Sequence, residues 1–176
     1  MHWAPPLPDY GRLPDFSLTD HLGQPFTREG LTGTVWIADF IFTRCAGQCP
    51  LMSAQMAKLQ GAFAGLPKVQ LVSFSVDASY DTPPILAAYA VQYDARADRW
   101  HFVSGNPEAV AVLARQGFHL GVGEGAASAQ EPITHSVRLV LVDKQGHVRG
   151  YYPATEPAAI TRLTRDARRL LKEPAS

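Results

Sequence analysis

The sequence predicts an α/β fold: a central mixed sheet with helices on both faces and a β-hairpin ahead of it. Three observations carry this. Apolar runs at Val35 to Phe42 and Val69 to Val76 alternate with segments of helical apolar spacing. Turn-forming residues set β-rich stretches back to back near both ends of the chain. At 176 residues, 46% of them apolar, the chain is sized for one well-filled core. The division expected is an extended lead-in or tether remnant over 1–12 and a single domain over 13–172.

The elements follow in order. Trp3 to Pro14 carries several prolines and little apolar periodicity, so it reads as extended. Phe16, Leu18 and Phe26 flank the turn Asp20-His21-Leu22-Gly23, which predicts a hairpin with His21 solvated in its turn. Thr34 to Phe42 is the first central strand. Asp39 interrupts it, and a carboxylate there must be hydrogen-bonded at a sheet edge or serve behind the cysteines that follow. Pro50 opens a helix whose Met52, Met56, Leu59 and Phe63 form one stripe, so both methionines are expected in the core.

Val69 to Val76 is a second strand ending at Asp77. Pro83 to Tyr93 is an amphipathic helix with Ile85, Leu86, Tyr89 and Tyr93 on one face. Trp100 to Val103 reads as a short strand and Pro107 to Gln116 as a helix. Gly121 to Glu131 is a small-residue surface loop. Val137 to Val142 and the run from Val148 flank the turn Asp143-Lys144-Gln145-Gly146, so a second hairpin closes the sheet, with His147 exposed. Glu156 to Lys172 is a helix, with Arg165, Arg168, Arg169 and Lys172 gathered toward the end that favours cations.

Chemistry concentrates on the only two cysteines, Cys45 and Cys49, between the first strand and the helix at Pro50. A residue before proline avoids the α region, which places Cys49 outside the helix near its N-cap. Free amides at a helix start favour thiolate, and Arg44 adds to this if its side chain turns inward. A structural disulfide, a redox pair and a metal site all fit such a pair. Structural zinc fits poorly because it wants four ligands. Two thiolates with one imidazole suit copper, Cu(I) above all. The spacing is one residue longer than the thioredoxin-type redox motif. In open α/β sheets the carboxyl ends of strands line the functional crevice, so Cys45 and Asp77 are expected to share one.

The stretch DFIFTRCAGQCPLMSAQMAKLQ resembles the metal-binding segment of the SCO/SenC family, copper-binding assembly factors for cytochrome c oxidase. LPDFSLTDHLGQPFT, SFSVDASYDTP and ITHSVRLVLVDKQGHVRGYY agree with the family in the same order, so the resemblance runs from about Leu13 to Tyr152. It implies a thioredoxin-like fold and a copper site, Cu(I) or Cu(II), made by Cys45, Cys49 and His135. Spacing alone does not single out His135 among the six histidines. Ala78 stands where the family carries proline, and Thr134 where it often has an acid.

The function implied is a metallochaperone that delivers copper to the dinuclear copper centre of cytochrome c oxidase. The partners implied are the copper-centre subunit of the oxidase and another copper chaperone as donor. The chain is expected to be a monomer working outside the cytoplasm, in the periplasm or on the outer face of the membrane, with its membrane anchor absent from this sequence. The rival reading is a thiol–disulfide oxidoreductase, catalytic through Cys45 and Cys49 without His135, that keeps the oxidase cysteines reduced. A peroxidase of related fold stands third. A formal net charge of zero without basic runs argues against nucleic acid.

Overall fold

The computed structural model describes residues 4–120 and 137–174. Seven strands form one sheet in the order β2-β1-β5-β4-β3-β6-β7. The hairpin is β1 (Ser17–Asp20) and β2 (Pro25–Thr27), antiparallel with Leu18 opposite Phe26. The centre is β3 (Val35–Ile41), β4 (Val69–Ser75) and β5 (Trp100–Ser104), all parallel. On the far side β6 (Arg138–Val142) and β7 (Val148–Pro153) run antiparallel, with β6 beside β3.

Every residue of β3 is buried. A strand covered on both faces reads as a continuous apolar run, which is why it stood out in the sequence. On one face α1 (Cys49–Ala62), α2 (Pro83–Gln92) and α4 (Pro157–Lys172) pack on Ile37, Leu71 and Phe102. Met52 and Met56 are core residues there. The other face is covered by the hairpin, Leu13 and α3 (Pro107–Val112), with Trp36, Phe74 and Phe118 between them. Asn106 caps α3, its side chain accepting from the N–H groups of Glu108 and Ala109. The helical run expected to Gln116 loosens after Val112 into a π turn, Leu113–Gly117.

Two histidine expectations fail. His21 is buried, 7% exposed, and its Nδ1 accepts the N–H of Phe102 at 3.2 Å. The turn folds back over β5, a contact with no local signature. His147 is half-buried and meets Asp9 at 2.9 Å. That pair belongs to the lead-in, which lies along β7: Tyr10 N–H donates to Val148 O, Val148 N–H to Gly11 O and Leu13 N–H to Gly146 O. Arg149 holds it too, through the carbonyls of Leu7 and Pro8.

Candidate metal centre

β3 ends at Ile41, and the loop 42–48 carries Cys45 before α1 opens on Cys49. Asp81 anchors this loop from below. Its buried carboxylate accepts the N–H of Thr43 at 3.0 Å, the Thr43 hydroxyl, and Ser75 Oγ at 2.6 Å. The end of β3, the end of β4 and the approach to α2 are thus tied at one point. Asp81 lies in the stretch SFSVDASYDTP that resembles the family, but nothing local marks it as the anchor of a loop 38 residues away.

The two cysteines are free thiols, Cys45 half-buried and Cys49 buried. The helix begins one residue earlier than expected, with Cys49 as its first residue, Gln48 as N-cap and Pro50 inside the first turn. The pre-proline preference is a bias that a favourable first turn overrides. The expectation of a ready thiolate fails for Cys49. Burial pushes its thiol pKa up and the neighbouring Cys45 side chain raises it further, outweighing a backbone hydrogen bond at Phe42.

Arg44 does not turn toward the sulfurs. Its guanidinium binds Asp77 and lies over the Tyr80 ring, 4.2 Å from the centroid. Asp77 follows β4 as Cys45 follows β3, so the two strand ends lie side by side, joined by the Arg44–Asp77 ion pair.

Asp39 lies behind the site in a central strand, not at an edge. It is opposite Ser73 in the register, and Ser73 Oγ donates to its Oδ1 at 2.5 Å while accepting Trp100 Nε1–H at 3.0 Å. Asp39 Oδ2 is buried with no partner among the described residues. Burial lifts the Asp39 pKa to about 7, with the Ser73 bond opposing. Its charge bears on both Cys49 and Tyr89, whose hydroxyl pairs with Ser53 Oγ at 2.8 Å.

The third ligand expected, His135, lies outside the described residues, as does the loop Gly121 to Glu131. Among the described residues no group of three His, Cys, Asp or Glu side chains could hold an ion. His101 bonds Gln70, and His119 approaches the Tyr10 carbonyl. The donor set in view is two thiols, which fits a soft ion and leaves its coordination incomplete.

The family model SCO1/SenC matches residues 9–172. The chain belongs to the SCO1/SenC family. Its sheet and four helices have the thioredoxin-like architecture of Sco structures. A SCO1/SenC family lipoprotein from Bacillus anthracis str. Ames superposes with a TM-score of 0.81 at 31% identity, covering 93% of this chain and 98% of that one. BsSco, described as a member of the Sco family of cytochrome c oxidase assembly proteins with a disulfide switch, gives a TM-score of 0.78 at 29% identity over 93% of this chain and 98% of its own. A putative copper-binding protein of Stutzerimonas stutzeri is 32% identical over 153 residues, 84% of this chain and 72% of that one.

Proposed function

We propose that this SCO1/SenC protein binds copper through Cys45, Cys49 and His135 and delivers it to the dinuclear copper centre of cytochrome c oxidase. The observation that carries the reading is the free cysteine pair where β3 gives way to α1, one thiol half-buried and one buried. Two thiolates and an imidazole suit Cu(I), and three ligands leave one side of the ion open. A partner thiolate can enter there as one of this chain's leaves, so the ion passes without being released. Binding displaces the thiol protons. The Stutzerimonas relative's copper binding and the oxidase-assembly description of BsSco support cargo and partner.

The working arrangement is one domain over 13–172 with 1–12 as a lead-in, placed outside the cytoplasm at the membrane. The lipoprotein relative supports that place. No helix of the described residues is long and apolar enough to cross a membrane. The donor of the ion is another copper chaperone.

The test is titration of the reduced chain with Cu(I) and Cu(II), repeated on Cys45→Ser, Cys49→Ser and His135→Ala. One equivalent bound by the wild type and weakened binding in each variant is expected. Unchanged affinity in His135→Ala removes the three-ligand site.

A second reading, thiol–disulfide exchange with the oxidase cysteines, is favoured by one observation: both cysteines are free thiols, four residues apart where β3 gives way to α1. Here Cys45 and Cys49 would close a disulfide as the partner's disulfide opens to two thiols. Feeble copper binding together with rapid reduction of a partner disulfide selects this reading.

A further inference from the structure

We propose that the C-terminal half of α4 is a docking surface for an anionic lipid bilayer. This rests on the membrane-side placement above, and its test is independent of copper.

Charge separation comes first. The chain has 16 cations and 16 carboxylates, yet Arg162, Arg165, Arg168, Arg169 and Lys172 share one stretch of α4 with a single carboxylate, Asp166. Asp166 is buried and already committed, to Tyr152 OH at 2.8 Å, Arg165 Nε at 3.1 Å and Arg169 Nη1 at 4.0 Å. Elsewhere arginines face carboxylates, as in Arg28–Asp15, Arg96–Asp98 and Arg149–Asp143. Arg168 instead lies over the Phe63 ring, its one polar contact among the described residues the Ala62 carbonyl at 3.5 Å.

Helix-end electrostatics do not account for the cluster. Lys144 Nζ already donates to the carbonyls of Leu171 and Glu173, both at 2.8 Å. Arg165, Arg168, Arg169 and Lys172 line an open groove of about 510 Å³ with Ile160 and Thr164 in its wall, room for lipid phosphates. Each exposed cation near an anionic membrane contributes about 1 kcal/mol of attraction, so three together matter.

Orientation is the second observation. Arg169 Nη2 donates to the Pro5 carbonyl at 2.6 Å, fastening the lead-in to this helix. Arg168 reaches Ala62, the last residue of α1, whereas Cys49 is the first. A helix of that length spans roughly 20 Å. A bilayer on the groove therefore leaves the cysteine loop at the far pole, presented to a partner.

The experiment is sedimentation of the full chain with phosphatidylcholine vesicles, with and without phosphatidylglycerol. The wild type is expected to bind only the anionic vesicles and to release at high salt. Arg165→Gln/Arg168→Gln/Lys172→Gln is expected to bind about a hundredfold more weakly, while folding by circular dichroism like the wild type. A control of equal charge change, Arg12→Gln/Lys58→Gln/Arg96→Gln, is expected to keep binding. Equal binding to both vesicle types overturns the proposal, and so does an equal loss in the control. Retention of the wild type by an acidic protein surface but not by anionic vesicles also overturns it.

Discussion

Arg44 is held away from the thiols by Asp77, whose Oδ2 accepts from Nε at 2.9 Å and from Nη2 at 2.8 Å. The arginine next to Cys45 is thus balanced by a carboxylate on the neighbouring strand end, and its plane rests on Tyr80. The pairing neutralises the Arg44 charge beside Cys45, so no free guanidinium stands next to the thiols.

Removing the carboxylate frees that cation. Asp77→Ala is expected to speed alkylation of Cys45 by iodoacetamide several-fold at neutral pH, because a cation near a thiol favours the thiolate. Arg44→Gln/Asp77→Ala is expected to return the rate to that of the wild type. An Asp77→Ala rate equal to the wild type would show that the pair does not shield the thiols.

Asp81 holds the cysteine loop from inside the protein. Asp81→Ala leaves the Thr43 N–H and the Ser75 hydroxyl without their acceptor. A loss of roughly 3 kcal/mol in urea unfolding is expected, with weaker copper binding as the loop loosens. Asp81→Asn keeps the shape and part of the bonding and is expected to lose less. A loss within about 0.5 kcal/mol, the range of ordinary surface changes, refutes the anchoring role.

Asp39 predicts a pH dependence of unusual sign for a carboxylate. Its folded pKa, raised to about 7, lies above the ordinary value of 3.8. The folded state therefore keeps a proton that the unfolded state gives up. The associated stability is fully present below about pH 4 and is lost as pH rises through 7. The window spans roughly 4 kcal/mol. In Asp39→Asn this decline is expected to vanish from unfolding curves collected between pH 4.5 and 8. A variant whose stability stays parallel to the wild type across that range would contradict the assignment.

His21 acts in the opposite direction. Burial lowers its pKa against the pull of Asp20, and accepting the Phe102 N–H requires a lone pair on Nδ1. His101 is lowered too, mainly by burial. Their contribution is fully present above about pH 6.5 and fades as pH falls below it. His21→Gln can still accept that N–H without titrating, so a smaller stability loss between pH 7 and 5 is expected. Unfolding midpoints that fall equally in both proteins would exclude the histidine as a source.

The cysteine loop and the strand and helix that flank it were legible because their signals are local. An apolar run, two cysteines and a proline-opened helix are contiguous, and Met52 and Met56 declared a core stripe by spacing alone. Asp81, His21 and the direction of Arg44 were not legible. Each depends on a partner dozens of residues away, and only the strand order β5-β4-β3 brings those partners together. The Cys49 thiol was misjudged for a related reason. Helix-start electrostatics can be read from sequence, but the burial that opposes them belongs to the packed fold. The place of Asp39 in the middle of the sheet likewise follows from β6 pairing beside β3.

The lead-in that bonds to Val148 and Gly146 has a consequence for self-association. β7 is the border of the sheet, and an uncovered border strand offers its peptide groups to any neighbouring copy. Tyr10 and Gly11 occupy those of Val148, where the strand starts, and Leu13 bonds Gly146 just before it. At the opposite border β2 is three residues long and opens on Pro25, which has no N–H to offer. One margin is thus covered by the lead-in and the other kept short, and trimming the chain back to Leu13 would turn the β7 margin into a template for aggregation.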